Sequence, residues 1–97
     1  MRYHVLVCYD ISEPKRWRKV FKIMKGMGDH IQYSVFLCQL TEQQKVELKY
    51  RLDQVIHHQQ DQVMFVDIGT TTSDQLERKI TVLGRDYAPR DLRVLVF

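Results

Sequence analysis

Only two cysteines occur in these 97 residues, Cys8 and Cys38, and each lies inside an apolar, strand-like run with no CxxC or Cys/His ligand spacing around it. That pattern gives no support to a structural zinc site, and although the two cysteines could neighbour one another in a sheet, it favours a reduced pair acting as small hydrophobes. Turn formers are sparse as well, four glycines and two prolines, so no linker or low-complexity segment divides the chain. No apolar run approaches the length of a membrane span, and no cationic leader precedes an apolar core and cleavage site. With a length that suits one hydrophobic core, these absences lead us to expect a single domain over residues 1–97, cytoplasmic and away from membranes.

Acid is missing from one place in particular. Residues 1–38 hold seven Lys/Arg against three Asp/Glu, and residues 39–97 hold eight against nine, so the net charge of +3 comes from the N-terminal part. Six of the seven (Lys15, Arg16, Arg18, Lys19, Lys22 and Lys25) fall in an eleven-residue stretch without one acid, while Trp17, Val20, Phe21 and Met24 recur at helical spacing on the other side. The stretch therefore reads as a helix with one core face and one cationic ridge. A solvated face normally mixes both signs; one sign alone favours a polyanionic partner. Arg16, Arg18, Lys19 and Lys22 are the candidate nucleic-acid contacts, and neutralising them is expected to abolish the salt dependence of binding.

Ahead of this helix runs Val5-Leu6-Val7-Cys8-Tyr9, apolar on both faces, ending in a single carboxylate, Asp10. Such a run reads as a buried strand, and an acid at its mouth sits on a rigid edge suited to a metal ion or to proton transfer. Asp10 has two readings: ligand of a divalent cation, which needs only one or two carboxylates besides water and substrate oxygens, or orienter of the following helix, whose start favours acid.

Along the chain, Tyr3–Asp10 reads as a strand, and a helix opens at Glu13 or Pro14 with Ser12 as N-cap and stops at Gly26. Residues 29–40 are β-rich but lack a central turn signal, so the pattern does not separate two strands from one bent strand. Thr41 and Gln44 form a capping box for a helix to about His58 whose buried stripe is Leu48, Leu52, Val55 and Ile56. A strand follows over residues 62–68, then a polar loop, a short helical turn signalled by Ser73, Asp74 and Glu77, a second loop with Pro89, and a last apolar strand over residues 92–97.

That order fits an α+β, ferredoxin-like βαββαβ arrangement with an added C-terminal strand: an antiparallel sheet with both helices on one face. The other face would carry Leu6 and Cys8 uncovered, so a homodimer is expected, with strand 92–97 able to join the partner's sheet. In this topology Asp67 lies far from Asp10, whereas Asp61, Gln32, Tyr33 and Ser34 fall near it. Ser34 then serves either to bind phosphate or orient Asp10, or simply to bond within a turn. Tyr9 either reaches substrate or is a buried strand tyrosine, and Phe36 is expected in a dimer core.

The segments HVLVCYDIS, RWRKVFKIMKGMGDHIQYSVFLCQL and LRVLVF resemble the small CRISPR-associated adaptation protein, the lesser of the two subunits that acquire new spacers. The likeness covers essentially the whole chain and is most specific in GDHIQYSVF. It implies a ferredoxin-like homodimer in which Asp10 of each protomer nears the two-fold axis and holds a divalent metal, Mg²⁺ or else Mn²⁺. It further implies metal-dependent endonuclease activity on RNA or DNA, and a bridging place along DNA between copies of the larger integrase subunit. Arg16 and Arg18 match basic positions of the family's helix opening; His30 departs from the arginine usual there, which weakens a permanent phosphate contact because histidine is largely neutral at pH 7. Tyr9, Ser34 and His30 are the candidate supporting residues around Asp10. A stand-alone ribonuclease toxin of the same fold, or a non-catalytic nucleic-acid-binding module, are the alternatives.

Overall fold

The computed structural model describes residues 1–72 and 76–86. Strand β1 (Tyr3–Asp10) leads into helix α1 (Pro14–Lys25), strands β2 (Gly28–Gln32) and β3 (Val35–Leu40), helix α2 (Glu42–Asp53), strand β4 (Gln62–Thr70) and a single turn of helix, α3 (Leu76–Lys79). The strands form one sheet in the order β2-β3-β1-β4, antiparallel at every pairing. This is the expected ferredoxin-like α+β architecture. The expected strand over residues 92–97, its addition to a partner's sheet, the loop around Pro89, and Ser73 and Asp74 lie outside the described residues.

Alternation along β1 turns Val5, Val7 and Tyr9 inward, and β3 adds Phe36, Cys38 and Leu40. Against this face α1 places Val20 and Met24, and α2 places Leu48 and Leu52, so both helices share one face and one core. Trp17, Phe21, Val55 and Ile56 pack on its margin. Phe36 is fully buried inside this core, which corrects its expected place in a dimer interface. The opposite face keeps Leu6, Cys8, Met64 and Val66, the last two exposed. Ile80–Leu83 lies beside Leu6, Ile31 and Val35 on that face. Cys8 and Cys38 belong to neighbouring strands but to opposite faces, and both are free thiols.

The β-rich segment is two strands, joined through Tyr33 and Ser34. Both ends of α1 are set locally. Its N-cap is Glu13, whose carboxylate accepts from Lys15 N at 2.8 Å and Arg16 N at 2.9 Å, and Pro14 fills the first turn, where a missing donor costs nothing. Ser12 is therefore not the cap: its N–H and hydroxyl are both taken by Asp61. At the other end Gly28 passes so close to β3 that a Cβ there would overlap Cys38 Sγ and come within 2.9 Å of the Leu37 carbonyl. Helix α2 carries the expected capping box, Gln44 N donating to Thr41 Oγ1 at 3.1 Å and Thr41 N to Gln44 Oε1 at 2.9 Å. It ends at Asp53, short of His58. No helix among the described residues is long and apolar enough to cross a membrane.

Candidate functional site

Strand β1 delivers Asp10 to the edge of the sheet, where it pairs with Gln62 of β4. On the other side Tyr9 N donates to Ser34 O at 3.0 Å, which carries the β1–β3 ladder one step beyond Cys8 and Val35 and places the β2–β3 turn beside Asp10. An open cleft of about 470 Å³ results, lined by Asp10, Ile11, Ser12, Pro14, Trp17, Arg18, Tyr33 and Ser34. Because Glu13 caps α1, Asp10 is spared that role; its exposed carboxylate has no hydrogen bond or ion pair among the described residues. Asp67 pairs with Val5, remote from Asp10 as the topology requires, and is bound to Lys45.

The four basic candidates go to three different places. Arg18 is exposed in the Asp10 cleft. Lys19 and Lys22 line a groove between α1 and α2 together with Ile23, Arg51 and Val55. Arg16 turns away from solvent: its Nε donates to Asp61 Oδ2 at 2.7 Å and its Nη2 to Gln60 Oε1 at 3.1 Å. The Asp61 side chain is 0% exposed and that of Arg16 22%. Asp61 also accepts from His57 N at 2.8 Å and from Ser12 N at 3.0 Å. The Arg16 guanidinium, and then these N–H groups, hold its carboxyl far below the usual carboxylate range against the opposing effect of burial. Asp61 thus clasps the β1–α1 loop to the end of the α2–β4 connection, immediately beyond Asp10.

The remaining candidates support the cleft from below. Tyr9 is buried, stacked near Phe36 and edge-on to Trp17. Burial, and secondarily Tyr33, push its phenol up to about 12, so it stays protonated at neutral pH. His30 sits among Phe21 and Phe36, 4.7 Å between centroids from the latter, and its Nε2 donates to the Tyr33 carbonyl at 3.1 Å. It holds the turn that carries Tyr33 and Ser34. Trp17 is stacked with both Phe21 and Tyr33. The Tyr9 hydroxyl and Trp17 Nε1 are buried without a hydrogen-bond partner among the described residues.

Sequence reasoning missed Arg51, whose segment balances charge overall, and it missed the clasp, whose partners are 45 and 49 residues apart. Charge patterning along one helix carries no signal for either.

The family described as CRISPR associated protein Cas2 matches residues 1–76, which span the whole sheet, both long helices and the Asp10 cleft. The chain belongs to the Cas2 family. Among curated Cas2 relatives, a protein of Rhodospirillum rubrum named CRISPR-associated endoribonuclease Cas2 1 is 33% identical over 91 residues, covering 94% of this chain and 87% of its own length. A Geobacter sulfurreducens protein named CRISPR-associated endoribonuclease Cas2 is 30% identical over 89 residues, 92% of each chain. The crystal structure of Streptococcus pyogenes Cas2 matches with a TM-score of 0.71 and 34% identity, covering 87% of this chain and 100% of that one. A hypothetical protein from Thermus thermophilus matches with a TM-score of 0.77 and 26% identity, over 92% of this chain and 99% of that one.

Proposed function

We propose that this Cas2 chain is a CRISPR-adaptation protein that acts as a homodimer, binds nucleic acid, bridges copies of the larger integrase subunit and hydrolyses phosphodiester bonds in RNA or DNA with a divalent cation at Asp10. The observation that carries the nuclease reading is an exposed, unpaired carboxylate at a rigid strand end, sharing one cleft with the Arg18 guanidinium and Ser34. The relatives from Rhodospirillum rubrum and Geobacter sulfurreducens are both named endoribonucleases.

The donor set bears on the metal. Among the described residues no three His, Cys, Asp or Glu side chains cluster as metal ligands, and Asp10 is the one carboxylate among the residues lining the cleft. That is compatible with Mg²⁺ or Mn²⁺, which take hard oxygen donors and keep much of their water. A second Asp10 from a two-fold partner doubles the donor set, and the exposed Met64 and Val66 on the sheet face opposite the helices offer an apolar surface suited to such pairing. When bound, the cation supplies charge stabilisation and a more acidic water.

The chain's own groups do the rest. Arg18 neutralises a non-bridging phosphate oxygen, bidentately if the approach is planar. Ser34 offers a hydroxyl to phosphate or to Asp10. Tyr9, protonated and buried, is no base at neutral pH, which leaves Asp10 as the carboxylate able to orient or receive a proton from water. Lys19, Lys22 and Arg51 extend the cationic surface for a longer strand.

The test is cleavage of single-stranded RNA and duplex DNA by the purified protein and by Asp10→Asn, with Mg²⁺, Mn²⁺ or chelator. Metal-dependent cutting lost in the variant supports the assignment and identifies the substrate. Equal cutting by both proteins removes Asp10 from the chemistry; binding without cutting leaves a non-catalytic bridging subunit.

A further inference from the structure

We propose that Tyr33, seated on Trp17, is a stacking platform for an unpaired nucleobase and makes single-stranded nucleic acid the preferred ligand of the Asp10 cleft. The proposal rests on the nucleic-acid reading above and adds to it a residue, Tyr33, that discriminates between forms of the ligand.

Tyr33 is a large aromatic at the tip of a two-residue connection and is 68% exposed, although one face of its ring is already spent on Trp17. The centroids of those rings are 5.2 Å apart and the planes 24° from parallel. Trp17 in turn lies on Phe21 at 5.1 Å and 14°. Tyr33 is therefore braced by a core-margin ring, Trp17, that is itself stacked with Phe21, and its exposed ring can take one more flat ring at ordinary stacking distance.

The open end is fixed in place. His30 Nε2 holds the Tyr33 carbonyl and Tyr9 N holds the Ser34 carbonyl, so a base arriving there meets a ring already oriented and loses little further entropy. The same cleft contains Arg18, Ser34 and Asp10, and at about 470 Å³ it falls within the size range of small-ligand sites. A base on Tyr33 thus has its flanking phosphate among a guanidinium, a hydroxyl and a carboxylate.

Discrimination follows from geometry. Within a duplex both faces of each base are covered by neighbouring pairs, so Tyr33 offers a duplex nothing, whereas an unstacked strand presents a π-face whatever its sequence. Phosphate contacts from Arg18, Lys19 and Lys22 serve both forms. RNA and DNA single strands share this chemistry and differ at the 2′-hydroxyl.

Binding in chelator, followed by fluorescence anisotropy, tests the proposal with one short sequence as single-stranded RNA, single-stranded DNA and duplex DNA. Tyr33→Ala should weaken single-strand binding about 5- to 150-fold, the range measured for loss of one base–aromatic stack, and leave duplex binding and the sedimentation coefficient unchanged. Tyr33→Phe, which keeps the ring, should bind like the parent. Equal loss for single strand and duplex, loss for neither, or a changed sedimentation coefficient marking Tyr33 as an interface residue would each overturn the platform. A parent protein that binds none of the three ligands would instead refute the nucleic-acid reading itself. A single-strand effect confined to RNA or to DNA would assign the ligand between them.

Discussion

Replacing Asp61 with asparagine should cost this chain more stability than any surface change of equal size. The carboxylate accepts Arg16 Nε at 2.7 Å and His57 N at 2.8 Å on Oδ2, and Ser12 N at 3.0 Å and Arg16 Nη2 at 3.3 Å on Oδ1. An amide keeps one oxygen, and whichever way it is turned its NH₂ faces N–H donors that have lost their acceptor. At about 1–3 kcal/mol for each group left unsatisfied in a site closed to water, the variant should lose about 2–4 kcal/mol. In urea, with a slope of about 1–3 kcal/mol per molar, the unfolding midpoint should fall by about 0.7–4 M. The pH dependence has a defined sign. Arg16 foremost, then the His57 and Ser12 N–H groups, depress the folded-state pKa of Asp61, so its contribution is fully present above the unfolded value of about 4 and is lost as the pH falls below it. Parent and variant midpoints should therefore lie furthest apart at neutral pH and converge in acid. A midpoint shift under about 0.5 M at pH 7, or a gap that does not narrow below pH 4, would show that the clasp contributes little.

Gly28→Ala should destabilise by about 1–3 kcal/mol, as overpacking does, because the new Cβ meets Cys38 Sγ and the Leu37 carbonyl; a thermal midpoint equal to the parent's would contradict the close approach. Loss of the α2 capping box in Thr41→Ala should cost about 1 kcal/mol, and Thr41→Ser should recover most of it in the same denaturation assay. Burial, and then Asp29, push the Cys38 thiol up to about 12, while Cys8 is raised by burial from its less enclosed place on the other face. Iodoacetamide at pH 8 should therefore label Cys8 first in peptide mapping, and mild oxidation should form no bridge within one folded chain; equal labelling or an intrachain bridge would refute the opposed placement.

Much of the architecture was legible because local rules and global fold agree. The apolar run ending at Asp10, the cationic helix stopping at Gly26, and the Thr41–Gln44 box each name a boundary by side-chain chemistry that needs only near neighbours. Alternation along β1 also disclosed that its second face would want a cover. The β2–β3 turn was illegible for a physical reason. Two-residue hairpin turns usually announce themselves with Gly or Asn at positive φ, yet among the described residues only Gly69 and Gly84 have positive φ. Tyr33 and Ser34 connect the strands without it, beside a register shift between His30 and Gln32. The α1 cap was misplaced because Ser12, a good local cap, is captured by Asp61 from 49 residues away. Helix α2 ends early for a similar reason: Ile56 keeps its place on the core margin, but His57 N is taken by Asp61.

The same long-range partner changes what the cationic ridge can do, and this alters the expectation that four residues together set the salt dependence of binding. A basic side chain contributes to counterion release only if its charge is free to meet a phosphate. Arg18, Lys19 and Lys22 are exposed on α1, whereas Arg16 is spent on a carboxylate held ionised far into acid. Neutralising any of the three exposed residues should reduce the slope of log K against log salt by about 0.7 on single strands and 0.9 on duplex. Arg16→Ala should lower stability by stranding Asp61 and leave the slope of the folded protein unchanged at a temperature where it remains folded. A slope reduced as much by Arg16→Ala as by Arg18→Ala would mean that the clasp opens on binding and that Arg16, released from Asp61, reaches the phosphate after all.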